Sequence, residues 1–168
     1  MPANYSLSTW VWVPLRRETV FPFFADASNL ERITPPILSF RVLTPPPITM
    51  RPGTLIDYRI GLRGIPMKWR TEITAWDPPS SFVDTQLRGP YRQWIHTHTF
   101  EEQDGGTLIK DDVRYSLPGP AAIGRIVNRF LVQPDVIRIF EFRHTALAEA
   151  LGVAERTRVG AVTIKPAP

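Results

Sequence analysis

The sequence contains no cysteine. That excludes a disulfide scaffold, a thiol nucleophile and any cysteine-ligated zinc or iron–sulfur centre. No apolar run approaches the ~20 residues needed to span a bilayer. Met1 to Val13 has no basic leader and no continuous apolar stretch, so it does not read as a signal peptide. The expectation is a cytoplasmic protein without a membrane span. A glycine-rich phosphate loop is missing, and no serine sits in a nucleophile elbow. Neither a nucleotide cofactor nor covalent serine chemistry is therefore expected. Lysine occurs only at Lys68, Lys110 and Lys165. The net charge of +4 rests on scattered arginines, with no window of five consecutive basic residues. This is a solvated basic surface rather than a nucleic-acid footprint.

What is present suits one ordinary domain of 168 residues. At 43% hydrophobic and 21% charged, the chain can bury a core, which rules out whole-chain disorder. The 18 prolines cluster, as at Pro35-Pro36, Pro45-Pro46-Pro47 and Pro78-Pro79, and read as stiffened loops at element boundaries. Tyr5 to Val13 alternates and predicts a strand. Glu18 to Ala25 predicts a short helix, with Pro22 tolerable only in a first turn. Ser28-Asn29-Leu30-Glu31 has the form of a capping box and predicts a second short helix.

Six strand signals follow, near 38–44, 54–63, 68–77, 81–88, 91–102 and 107–117. Short turns separate them, so an antiparallel meander is expected. A helical pattern then runs to about Leu151, with Gly152 as its C-terminal cap and Pro134 splitting it. Ile123, Val127, Phe130 and Leu131 form one apolar stripe before the split. Ile137, Phe140, His144, Leu147 and Leu151 form another after it. Residues 1–152 are expected to be the domain, and 153–168 a tail or an added edge segment. A curved sheet must cover one face, and only the long helix can do so. The cavity between them is where function should sit.

This order of elements resembles the helix-grip fold of the START-related, pollen-allergen-like superfamily, often called SRPBCC. The run Gly89-Pro90-Tyr91-Arg92-Gln93-Trp94-Ile95-His96-Thr97-His98-Thr99-Phe100 resembles its bacterial ligand-binding or polyketide-cyclase-like members. So do Asn29-Leu30-Glu31-Arg32-Ile33-Thr34-Pro35-Pro36 and the stretch from Gly106-Thr107 to Leu117-Pro118. The resemblance covers about 5–152. It implies an α+β protein in which a curved antiparallel sheet of about six to seven strands wraps a long C-terminal helix, with two short helices after the first strand. The superfamily hosts carriers, receptors and enzymes, so the resemblance carries no catalytic set onto this chain.

Strand parity selects the side chains that face the cavity. Asp104-Gly105 suits a two-residue type I′ turn. That pairs Phe100 with Ile109, His98 with Asp111, His96 with Val113 and Trp94 with Tyr115. Thr97, Thr99, Lys110, Asp112, Arg114 and Ser116 then face solvent. Across Arg63 to Pro66 the same logic pairs Ile60 with Trp69, Tyr58 with Thr71 and Ile56 with Ile73. The turn at Pro78-Pro79 turns Phe82, Asp84 and Gln86 inward.

The expected pocket has aromatic walls of Tyr58, Trp69, Phe82, Trp94, Phe100 and Tyr115. Its polar floor is Asp84, Gln86, His96, His98 and Asp111, and His144 closes it from the helix. His98–Asp111 reads equally as a structural cross-strand pair and as an acid–base or ligand-orienting pair. His-x-His with a nearby Asp also matches two-histidine–one-carboxylate sites, but spacing fixes no third ligand, so no metal and no cofactor are assigned. The leading expectation is binding of a small hydrophobic or aromatic ligand. The alternative is a cyclase- or dehydratase-type enzyme using His96 or His98 with Asp111 as an acid–base pair. Oligomeric state is left open.

Overall fold

Alternation of apolar and polar residues becomes a sheet with one buried face. The computed structural model describes residues 3–167; Met1, Pro2 and Pro168, at the outer ends of the two expected spans, lie outside the described residues. Strand β1 (Asn4–Val13) buries Tyr5, Leu7, Thr9, Val11 and Val13, every second residue. Helix α1 (Arg17–Ala25) follows, then two 3₁₀ turns, Ala27–Glu31 and Pro36–Leu38. The sheet continues through β2 (Arg41–Val42), β3 (Leu55–Leu62), β4 (Ile65–Asp77), β5 (Ser81–Arg88), β6 (Gln93–Gln103) and β7 (Gly106–Ser116). Helix α2 (Ala121–Val127), a π turn at Asn128–Val132 and helix α3 (Gln133–Ala150) lead to β8 (Arg158–Val159) and β9 (Thr163–Ala167).

Strand order is β2-β3-β4-β5-β6-β7-β1-β8, with β9 also on β1 and every pairing antiparallel. The nine strands among the described residues exceed the six or seven expected. The additions come from residues 153–168, where β8 and β9 cover the outer edge of β1. Their signal is weak because both are short and Pro166 interrupts β9, which only an edge strand tolerates. Bulges in the β4–β5 pairing bend the sheet around the helix. Among the described residues, no helix is long and apolar enough to cross a membrane.

The β6–β7 hairpin has the expected register, with His98 opposite Asp111 and Trp94 opposite Tyr115. Asp104 and Gly105 both adopt positive φ, 52° and 73°, as a type I′ turn requires. Ser116 departs from the expected solvent face and is only 2% exposed. Its small side chain lies between Asn4 and Gln93 of the flanking strands. The β3–β4 register differs from expectation by two residues: Tyr58 faces Trp69 and Ile56 faces Thr71. A two-residue turn at Arg63-Gly64, both at positive φ, causes the shift. A shift of two leaves every side chain on its expected face.

Pro22 lies inside α1, beyond its first turn, so the helix survives on packing by Val20, Phe21 and Phe24. The expected capping box does not form. Asp26 caps the 3₁₀ turn by accepting from the Ser28 N–H, and Glu31 accepts from the Val42 N–H at 2.9 Å, pinning β2. Pro134 splits the C-terminal helix as expected, at the second residue of α3. The first apolar stripe is corrected: Ile123, Phe130 and Leu131 are exposed. Gly124 and Asn128 dock instead, and the Tyr115 hydroxyl donates to Asn128 Oδ1 at 2.8 Å. Helix α3 packs inward through Val136, Phe140, Arg143 and Leu147. Gly152 ends it with φ 69°, and the Val153 N–H reaches back to the Ala148 carbonyl, a Schellman closure.

Candidate functional site

Between the concave sheet face and α3 lies a cavity of about 200 Å³. Tyr58, Trp69, Phe82, Asp84, Trp94, His96 and His98 border it, as expected. Five expected residues do not border it, and one of them, Asp111, lies against the two histidines instead. Phe100 is buried behind the wall against Phe21 and Phe24. Tyr115 stacks on Tyr5 and is tied to Asn128. The Gln86 amide holds the backbone of Tyr91, donating to its carbonyl at 2.7 Å. His144 shares a 3.1 Å hydrogen bond with Thr9 Oγ1 of β1 and does not close the cavity. On a helix each residue turns about 100°, so one step beyond Arg143 leaves the inward stripe.

Sequence reasoning missed Arg143 and Tyr91. Arg143 continues the spacing Val136–Phe140–Arg143–Leu147, an a/d pattern with a charge in it. Tyr91 follows the Gly89-Pro90 turn and packs its ring on Trp94 and Trp69.

The polar end is a closed cluster. The His96 Nε2–H donates to Asp111 Oδ1 at 2.8 Å, and the His98 Nε2–H donates to Asp84 Oδ2 at 2.9 Å. His98 Nδ1 lies 3.0 Å from Asp111 Oδ1, closer than the Arg143 guanidinium at 3.5 Å. That nitrogen therefore has a carboxylate oxygen and a guanidinium donor beside it, the carboxylate being the nearer. His96 keeps one proton, with Nδ1 3.6 Å from Asp84 Oδ2. Arg143 reaches Asp111 Oδ1 at 3.6 Å. Two carboxylates thus meet one guanidinium and two imidazoles, so each buried charge has a partner.

The electrostatics agree. Burial alone would lower the His98 pKa, but hydrogen bonds with Asp111 and Asp84 outweigh it and raise it. Burial, reinforced by the His98 charge, lowers His96. Burial pushes Asp111 upward, and Arg143 with both histidines overrides it, holding the carboxyl well below its usual range. Asp84 is likewise held low against burial, chiefly by its bond from His98. Burial raises the Tyr58 and Tyr91 phenols, so both stay protonated. Phe82 stacks on His98 at 4.0 Å and fixes its ring plane.

His144 supplies a separate pH effect. Burial lowers its pKa below 6.5, with Arg143 lowering it further and Asp111 and Glu141 opposing. The unfolded chain therefore binds the proton first as pH falls. This contribution to stability is complete above about pH 6.5 and declines below it. Urea midpoints from about pH 7 to pH 5 should fall less steeply for His144→Gln than for wild type; parallel slopes would refute the assignment.

Residues 13–138 match the family described as polyketide cyclase / dehydrase and lipid transport. No curated protein matches the sequence. Among solved structures, protein Ms6760 from Mycobacterium smegmatis aligns with a TM-score of 0.64 at 22% identity, over 88% of this chain and 90% of that one. A START superfamily protein from Mycobacterium smegmatis aligns with a TM-score of 0.62 at 12% identity, over 87% and 99%. The di-domain ARO/CYC StfQ from the steffimycin biosynthetic pathway gives 0.62 at 12% identity, over 90% of this chain and 53% of that one. At these identities the likeness is one of fold.

Proposed function

Because the chain belongs to the polyketide cyclase / dehydrase and lipid transport family, within the START-related SRPBCC superfamily, we propose that it binds a compact, largely apolar or aromatic ligand bearing an acceptor oxygen. One observation carries this reading. The cavity is apolar along its walls, and the buried Arg143 that borders its polar end has an Nε–H with no hydrogen-bond partner among the described residues. An unmatched buried donor costs about 1–3 kcal/mol, which a ligand oxygen recovers. The volume lies below the roughly 300–1,000 Å³ typical of drug-sized ligands, so the ligand is small.

A second reading, catalysis of the cyclase or dehydratase type, is favoured by the unprotonated His96 Nδ1 at the cavity edge. There it would accept a proton from a carbon next to a carbonyl, with Asp111 orienting the ring.

The test is titration of metal-free protein with 1-anilinonaphthalene-8-sulfonate, an aromatic probe with an anionic acceptor group, read by quenching of Trp69 and Trp94. Trp94→Ala and His96→Leu should each weaken binding at least tenfold, about 1.4 kcal/mol. Thr97→Ala and Thr99→Ala, on the opposite face, should leave it unchanged. Equal losses in both pairs would refute the assigned site. Turnover of a polyketide-like carbonyl compound, lost in His96→Gln with probe binding retained, would select the second reading.

A further inference from the structure

The two histidines and Asp84 converge on one point. His96 Nδ1 and His98 Nε2 both point at one oxygen, Asp84 Oδ2, at 3.6 and 2.9 Å. The three donor atoms lie within 4.8 Å of one another. Donors bonded at about 2.1 Å to one ion stand about 3.0 Å apart in octahedral geometry and about 3.4 Å apart in tetrahedral geometry. The observed separations bracket those values.

The other side of each ring supplies an independent observation. His96 Nε2 and His98 Nδ1 both meet Asp111 Oδ1, at 2.8 and 3.0 Å. A metal-ligating imidazole characteristically gives its remaining N–H to a carboxylate, which fixes the tautomer that presents the other nitrogen to the ion. Here one buried carboxylate does this for both rings, and Arg143 backs it at 3.6 Å. The side chains of Asp111, His96 and His98 are only 6%, 8% and 4% exposed. Asp84, at 20%, is the most open of the group.

We propose that Asp84, His96 and His98 form a binding site for one divalent transition-metal ion, with Asp111 orienting both imidazoles. Two nitrogens and one carboxylate suit zinc, cobalt(II) or iron(II), whereas magnesium and calcium prefer all-oxygen shells. The ion takes the place of the proton between His98 Nε2 and Asp84, and that proton leaves to solvent. All three ligands border the cavity, so the coordination positions they leave open face it. With the ion bound, Asp84, Asp111 and Arg143 leave one net positive charge, which favours a ligand whose oxygen is anionic. The sequence showed the His-x-His pair; the third ligand came from β5, which no spacing rule ties to β6.

The test is titration of chelator-treated full-length protein with cobalt(II) alone. Visible d–d bands should saturate at one equivalent and be bleached by zinc. Asp84→Asn keeps the shape, removes the anionic ligand and should weaken cobalt binding at least a hundredfold. Asp111→Asn should weaken it about 10–100-fold. His144→Gln should bind as wild type. Where a variant fails to fold, wild-type NMR decides, because the chain has only three histidines. Zinc should shift the ring signals of His96 and His98 and spare His144. Absence of stoichiometric binding, or binding that leaves His96 and His98 unshifted, would overturn the site. The probe titration above uses metal-free protein, so failure here leaves the ligand-binding reading standing.

Discussion

Replacing Asp111 with alanine is expected to destabilise the protein by about 3–5 kcal/mol, the cost of leaving buried charges without their partner. Asp111 is 4% exposed and is, among the described residues, the only carboxylate that touches both histidines and Arg143 at one oxygen. Removing it takes away the carboxylate oxygen that both rings and the Arg143 guanidinium share, and leaves the guanidinium without its carboxylate in an apolar setting. A paired variant, Asp111→Ala with Arg143→Met, should therefore lose less than the sum of the two single changes. Urea unfolding of the four proteins measures the coupling. A loss below about 1 kcal/mol for Asp111→Ala would mean that the cluster is hydrated and that Asp111 does not hold Arg143 and the two histidines as a buried charge partner.

The same cluster shows what sequence carries and where it stops. His98 opposite Asp111 was legible because Asp104-Gly105 fixes the turn, and the turn fixes the register of a whole hairpin. The second acid was legible only as a direction. Asp84 lies on β5, across the Pro78-Pro79 turn, and parity placed it inward without saying which histidine it meets. It stands opposite His96 along the strands, yet its bond is to His98, one pleat along. Backbone pairing specifies neighbours, and rotamers choose among them.

Helix faces were read less well than strand faces. Parity has two outcomes, whereas a helix has a continuous range of rotations. The stripe through His144 misplaced the inward face by one residue, and that step separates Arg143 in the cavity from His144 on β1. Before Pro134 the error was larger. Ile123 and Phe130 have an apolar spacing, but the π turn at Asn128–Val132 breaks the 3.6-residue period that makes such a spacing meaningful.

Phe82→Ala is expected to cost a further 3–5 kcal/mol, roughly the range for deleting a buried phenyl ring, and to change what the cavity accepts. Phe82 is 5% exposed and forms the partition between two regions. On one side it stacks on His98 at 4.0 Å; on the other it meets Phe21, Trp76 and Phe100 with ring centroids 5.5–6.2 Å away. Deleting the ring enlarges the cavity toward the packed Phe21, Trp76 and Phe100 rings and frees the His98 imidazole to tilt. Phe100→Ala is the matched control. It removes a ring of the same size at 1% exposure, but Phe100 does not border the cavity. Both variants should lose similar stability in urea. Only Phe82→Ala should gain affinity for probes bulkier than anilinonaphthalene sulfonate. If Phe100→Ala shifts the size preference equally, the partition does not exist and the cavity is a general softness of the core.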